Sequence, residues 1–107
     1  MDLAQKKCVP CEGGREAFSA EDVHVYLLDT PLWQAVDDKK ITREFKFKDF
    51  IAAINFVNAI ADIAEEEGHH PDLHIFYNRV IVELTTHAVK GLTENDFIMA
   101  AKINQRF

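Results

Sequence analysis

Glu65-Glu66-Glu67-Gly68-His69-His70-Pro71-Asp72-Leu73-His74-Ile75-Phe76-Tyr77-Asn78-Arg79-Val80-Ile81-Val82-Glu83-Leu84 holds the transition that decides the fold. A helix ends in it and a hairpin begins. Gly68 is a natural helix C-cap, because glycine enters the left-handed region without a Cβ clash. Pro71 cannot continue a helix and holds His70 extended. Leu73, Ile75 and Tyr77 then alternate as a strand. Asn78-Arg79 is the turn candidate. Val80, Val82 and Leu84 alternate on the next strand, with Ile81 and Glu83 on its other face.

Upstream, residues 48 to about 67 carry a helical period. Phe50, Ile54, Val57, Ile60, Ala61 and Ala64 share one face, widened by Phe56 and Ile63. Asn55, Asn58, Asp62, Glu65 and Glu66 form the polar side. Ile41 to Phe47 alternates: Ile41, Phe45 and Phe47 on one face, Thr42, Glu44 and Lys46 on the other. Arg43 interrupts the apolar face, which is tolerable near a strand edge or as a functional cation. Trp33 to Val36 reads as a short strand joined to it by Asp37-Asp38-Lys39-Lys40. Ser19-Ala20-Glu21-Asp22 is an N-cap with an acidic third position, opening a short helix to about Leu28. Downstream, Thr93 and Asp96 are a capping pair for a last helix, with Phe97, Ile98 and Ala101 as inward candidates.

The order predicts an α+β fold: a four-stranded, largely antiparallel sheet with three helices packed on one face. The open sheet face then needs burial or a partner, so a homodimer or homotetramer is expected. Residues 19–107 form one domain. Residues 1–18 read as a flexible or clamped N-terminal tail, since Pro10, Gly13 and Gly14 break any period. Cys8 and Cys11 make one CxxC there. It supplies only half of a closed zinc site, and a tail is not where a redox CxxC sits. A bland tail is the expectation, with a half-site completed by another subunit as the alternative.

The chain of 107 residues is 48% hydrophobic and carries a net charge of −6. That charge argues against a nucleic-acid partner, since phosphate contacts need Lys and Arg. No apolar run approaches the ~20 residues that span a bilayer, and the first residues lack an apolar signal core. A cytoplasmic protein with no membrane partner is expected. There is no Gly-rich phosphate loop and no nucleophile elbow, so covalent catalysis has no candidate.

What remains is a cluster of imidazoles. Free imidazole titrates near pH ~6.5 and can give or take a proton at neutral pH. His69 and His70 follow a helix end. His87 ends the last strand beside Thr86, and an antiparallel hairpin can return that end towards the helix. Glu65 lies one turn before His69 on the same face and is placed to orient an imidazole. Asp96 is most simply a helix-start acid. His24 and His74 read as structural. His69, His70 and His87 can be drawn as a three-His metal site, but adjacent residues rarely both ligate one ion, so neither metal nor cofactor is expected.

Glu65, three residues, His69-His70-Pro71, five residues, Tyr77, nine residues, His87, eight residues, Asp96: this spacing resembles the signature of the pterin-4a-carbinolamine dehydratases. The flanking text agrees, in Trp33, Arg43 to Phe47, Asp49-Phe50, Pro71-Asp72, Tyr77 to Val80 and Gly91-Leu92-Thr93. The resemblance spans roughly residues 19 to 105. It implies a pterin substrate, a 4a-hydroxytetrahydropterin formed by aromatic amino acid hydroxylases. It implies dehydration to the quinonoid dihydropterin by His69, His70 and His87, without metal. Of these, His69 and His87 are the expected acid–base pair and His70 the group that binds and polarises the ligand. Glu65, Pro71, Thr86 and Asp96 would contact or orient, Asp96 by fixing His87 or touching the ligand, and Trp33 would wall the flat ring. The resemblance also leaves open a non-catalytic role, as a pterin-binding or dimerisation scaffold, which would keep many of the same residues.

Overall fold

The computed structural model describes residues 2–10 and 16–107, so Cys11, and with it the CxxC as a unit, lies outside the described residues. Three helices, α1 (Ala20–Leu28), α2 (Phe50–Glu67) and α3 (Glu94–Arg106), accompany four strands, β1 (Gln34–Val36), β2 (Lys40–Lys46), β3 (Asp72–Phe76) and β4 (Arg79–Leu84). Every strand pairing is antiparallel, in the order β1-β2-β4-β3. The expected α+β architecture is present.

Local chemistry explains the joints. Ser19 Oγ accepts from Asp22 N while Ser19 N donates to Asp22 Oδ2, each at 3.2 Å, closing a capping box on α1. Asp37 and Asp38 take φ of 53° and 54° in the β1–β2 turn, a left-handed conformation that Asp tolerates. The β3–β4 turn is Tyr77-Asn78, one residue earlier than the sequence suggests, because Phe76 pairs with Arg79. Asn78 holds that turn to the exit of β2: its Nδ2 donates to Phe47 O at 3.0 Å.

Register sets the two sheet faces. Ile41 pairs with Leu84, Arg43 with Val82 and Phe45 with Val80. Ile41, Phe45, Val80, Val82 and Leu84 are buried together beneath the helices. The opposite face carries ion pairs, Arg79–Glu44 at 2.8 Å and Glu83 with both Lys40 (3.0 Å) and His74 (2.9 Å). His74 is thus a cross-strand partner of an acid, as its place outside the motif suggests.

Helix α2 is rotated from the expected face. Its buried residues are Ala53, Phe56, Ile60, Ile63 and Ala64, while Phe50 is 46% exposed and Ala61 is exposed. Phe56 decides this: its ring lies 4.4 Å from Phe45, 5.0 Å from Phe47 and 4.7 Å from Phe107. Burying one Phe is worth about 1.5–3 kcal/mol, which outweighs half-burial of smaller side chains. A second apolar stripe, Phe50, Ile54, Val57 and Ala61, is left at or near the surface.

Arg43 is a structural cation. Its guanidinium lies 4.1 Å from the Phe45 ring centroid and donates to Asn104 Oδ1, and burial pushes its pKa down. Helix α3 is the centre of the core, with Phe97, Ile98, Met99, Ala100 and Ile103 buried. The described part of the tail is not loose. Leu3 is 2% exposed in a 3-10 turn, Lys102 Nζ donates to Ala4 O at 2.8 Å, and Lys6 pairs with Glu94 at 3.1 Å. Among the described residues, no helix is long and apolar enough to cross a membrane.

Candidate active site

Two element ends meet at the site. At the end of α2, Gly68 takes φ 67°, and both Gly68 N and His69 N donate to Ala64 O, at 2.9 and 3.3 Å. This left-handed cap turns the chain out of the helix, so the helical spacing from Glu65 to His69 no longer holds. His69 is delivered to the start of α3, where its Nε2 lies 2.6 Å from Asp96 Oδ1. His70 folds back over the last turn, and its Nε2 meets Glu65 Oε2 at 2.5 Å. Glu65 orients an imidazole as expected, that of His70, whereas Asp96 fixes His69 rather than His87.

The two pairs have different environments. Asp96 is fully buried, and the His69 side chain is 11% exposed. Asp96 Oδ2 accepts from Thr86 Oγ1 at 2.8 Å and from Thr93 N at 3.0 Å. The Thr86 and Thr93 hydroxyls lie 2.9 Å apart. A buried carboxylate is tolerable when hydrogen bonds surround it in this way. Asp96 is thus both a helix-start acid and the holder of an imidazole. The His70–Glu65 pair faces water, at 61% and 77% side-chain exposure, and such a pair contributes little to stability.

After Thr86 the chain makes a 3-10 turn over His87–Val89, closed by the bridge between Thr86 and Gly91. That turn presents His87 to the surface. No hydrogen bond holds its ring among the described residues. Hairpin β3–β4 does return this strand end to the helix end. His69, His70, Thr85, Thr86 and His87 line one cavity of about 300 Å³, together with Gly68, Ala88, Val9 and Asn95. A small ligand fits such a volume.

Of the sequence-derived set, His69, His70, Thr86 and His87 line the cavity. Asp96 bonds to His69 and Thr86, and Glu65 to His70, while Pro71 only follows His70 in the chain and is not among the residues that line the cavity. Trp33 does not line it. The ring is 5% exposed in the core, its Nε1–H donating to Asn104 Oδ1 at 2.9 Å, so it provides no ligand wall in this fold. Val9 and Asn95 were missed. Neither belongs to the His motif, and the tail gave no periodic signal that it would dock.

The 2.6 Å contact of His69 Nε2 with Asp96 Oδ1 fixes the ring orientation. In the neutral tautomer that donates from Nε2, Nδ1 is an acceptor. Beside it, His87 offers an imidazole not tied to the protein among the described residues. The arrangement suits moving two protons on one small polar substrate. Among the described residues, no three His, Cys, Asp or Glu are grouped to hold a metal ion.

Known proteins resemble this chain along nearly its whole length. A family model described as Pterin 4 alpha carbinolamine dehydratase matches residues 16–106. A protein of Nitrosospira multiformis, provisionally named a pterin-4-alpha-carbinolamine dehydratase, is 46% identical over 99% of this chain and 93% of its own. Pterin-4-alpha-carbinolamine dehydratase 2, mitochondrial, of Arabidopsis thaliana is 45% identical over 97% of this chain and 58% of its own length. The transcriptional coactivator/pterin dehydratase of Brucella melitensis superposes with a TM-score of 0.78, at 42% identity, over 84% of this chain and 97% of that one. A pterin dehydratase-like RuBisCO assembly factor of the alpha-carboxysome matches at TM-score 0.55 and 22% identity, a likeness of fold alone. With the imidazole cluster at its expected spacing and nearly the whole chain matched, the protein belongs to the pterin 4 alpha carbinolamine dehydratase family.

Proposed function

We propose that this chain removes water from a 4a-hydroxytetrahydropterin to give the quinonoid dihydropterin. The reaction breaks the C4a–O bond and takes the proton from the adjacent ring nitrogen, so a C=N bond forms and water leaves. His69 acts as the base through Nδ1, because Asp96 engages its Nε2. His87 acts as the acid on the departing hydroxyl. His70, backed by Glu65, binds and polarises the ring. Each proton transfer by a placed imidazole is worth ~10²–10⁴-fold. The observation that carries the reading is the buried Asp96–His69 pair, 2.6 Å apart, beneath a cavity lined by two further imidazoles.

In this role the protein recycles the tetrahydropterin of aromatic amino acid hydroxylases in the cytoplasm, as a homo-oligomer and without metal. The α2 stripe of Phe50, Ile54, Val57 and Ala61 supports assembly, since an apolar helix face gains by meeting another. The alternative is a non-catalytic scaffold of the same fold. Purified protein mixed with freshly generated carbinolamine separates the two. Acceleration of water loss, abolished by His69→Ala with His87→Ala, supports the enzyme; an uncatalysed rate with intact pterin binding supports the scaffold.

A further inference from the structure

Residues 2–10 lie outside the matched family region, yet they reach the site. After the Leu3 anchor, the chain runs along α3 as a strap. Cys8 N donates to Glu67 Oε1 at 2.9 Å, next to the cap of α2. At Val9 the side-chain amide of Asn95 imitates a strand: Val9 N donates to Asn95 Oδ1 at 3.0 Å, and Asn95 Nδ2 donates to Val9 O at 2.6 Å. Asn95 is 2% exposed, so its end of this clamp is shielded from water. The strap therefore bonds to the residue before Asp96 and to the last residue of α2, two before His69. It bridges the same two element ends that the His69–Asp96 pair joins.

Val9 is the outcome of this clamping. Its side chain is 46% exposed and lines the cavity with the three imidazoles. The other side chains named there are mainly imidazole, hydroxyl and amide groups, so Val9 supplies an apolar wall. A flat heteroaromatic ring needs such a surface as well as polar partners.

We propose that the strap is part of the substrate site: Val9 is a specificity-determining wall against the pterin, and Asn95 is the positioning residue that holds it there. This rests on the proposed function. The strap binds the ligand without taking part in proton transfer, so its loss is felt in affinity before turnover.

The test uses the full chain with Val9→Trp, Asn95→Ala and the double variant. Both the kinetics on chemically made carbinolamine and the dissociation constant of a stable dihydropterin are measured. Val9→Trp, at a half-exposed position, should raise KM and the dissociation constant about tenfold while kcat stays within about threefold. Asn95→Ala should shift binding in the same direction. The double variant should cost clearly less than the product of the two, because the wall has already left in Asn95→Ala. Folding of Asn95→Ala is checked by thermal melting, and Val9→Trp stands alone if it fails. If the wild type binds dihydropterin without turning over carbinolamine, the dehydratase reading falls and the strap is judged on dissociation constants. Val9→Trp binding within about twofold of wild type, or no pterin binding by the wild type, overturns the proposal.

Discussion

Asp96 Oδ1 lies 2.6 Å from His69 Nε2, while its second oxygen accepts from Thr86 and from the Thr93 backbone. One buried carboxylate thus caps α3, ties the end of β4 to it and sets the orientation of an imidazole. Asp96→Asn keeps an acceptor for Thr93 but replaces the His69 acceptor with an amide. The expected outcome is a loss of ~10–10³-fold in turnover, with a stability cost of about 1–3 kcal/mol. Steady-state kinetics beside urea unfolding measure the two. Turnover equal to wild type would remove Asp96 from the mechanism.

The imidazoles should separate by kinetic signature. His69→Ala and His87→Ala should each lower turnover ~10–10³-fold with little change in pterin affinity. His70→Ala should chiefly raise the apparent binding constant. His74→Ala, on the charged sheet face with Glu83, is the control. Pre-steady-state dehydration by these variants decides it. Near wild-type turnover in both His69→Ala and His87→Ala, with loss in His74→Ala, would mean the site lies elsewhere.

Removing metal should change nothing. His69 and His70 each engage a carboxylate through Nε2, which leaves a poor ligand set. After dialysis against a strong chelator, the dehydration rate should equal that of untreated protein. A large loss restored by zinc is the contrary result.

Stability should fall at both ends of the pH range for named reasons. Hydrogen bonds from His74 and Lys40 hold the Glu83 carboxyl below its ordinary value of 4.5. Below that value the unfolded chain takes up this proton first, so the stabilisation is full above about 4.5 and is lost as pH falls through the folded value. Burial, and then Glu94, push the Tyr26 hydroxyl from 10.0 up to about 12. Here the unfolded chain loses its proton first, so the contribution is full below pH 10.0 and fades as pH rises towards 12. Glu83→Gln should flatten the acid limb of a melting profile and Tyr26→Phe the alkaline limb. Unchanged limbs would assign the pH dependence to other groups.

Assembly should depend on the outer stripe of α2. The wild type should sediment as a multiple of 12.2 kDa at micromolar concentration. Ala61→Glu puts a charge on an exposed position of that stripe, and should yield a smaller species with its fold intact. A wild-type monomer would leave the stripe without this role.

Much of this fold was legible because its signals are local. Alternation in Ile41–Phe47 and Val80–Leu84, the cap at Gly68 and the stop at Pro71 each act within a few residues. The clustering of His69, His70 and His87 was legible for the same reason, since the hairpin brings the end of β4 back to the end of α2. Pairing within the set was not. It depends on which way the chain leaves Gly68 and on where α3 begins in space, and both are tertiary facts. The rotation of α2 has a similar origin, because Phe56 answers to Phe45, Phe47 and Phe107 rather than to its own helix. The docking of Val9 on Asn95 uses backbone groups, which leave no pattern in a sequence. The resemblance implies a ligand wall at Trp33, and Asn104 draws it into the core instead.

Gly68 has open space where a Cβ would stand, yet its φ is 67°. A methyl group there would meet no neighbour; only the torsion would object, at about 1–2 kcal/mol. Which acid serves which imidazole is therefore inherited in part from the handedness of a residue that has no side chain to pair with either. A chain that left α2 in a right-handed conformation would keep all three histidines and both acids and still be wired differently. The set of side chains at the cavity and their connectivity are separate properties of this protein, and the backbone angle at Gly68 bears on the second alone.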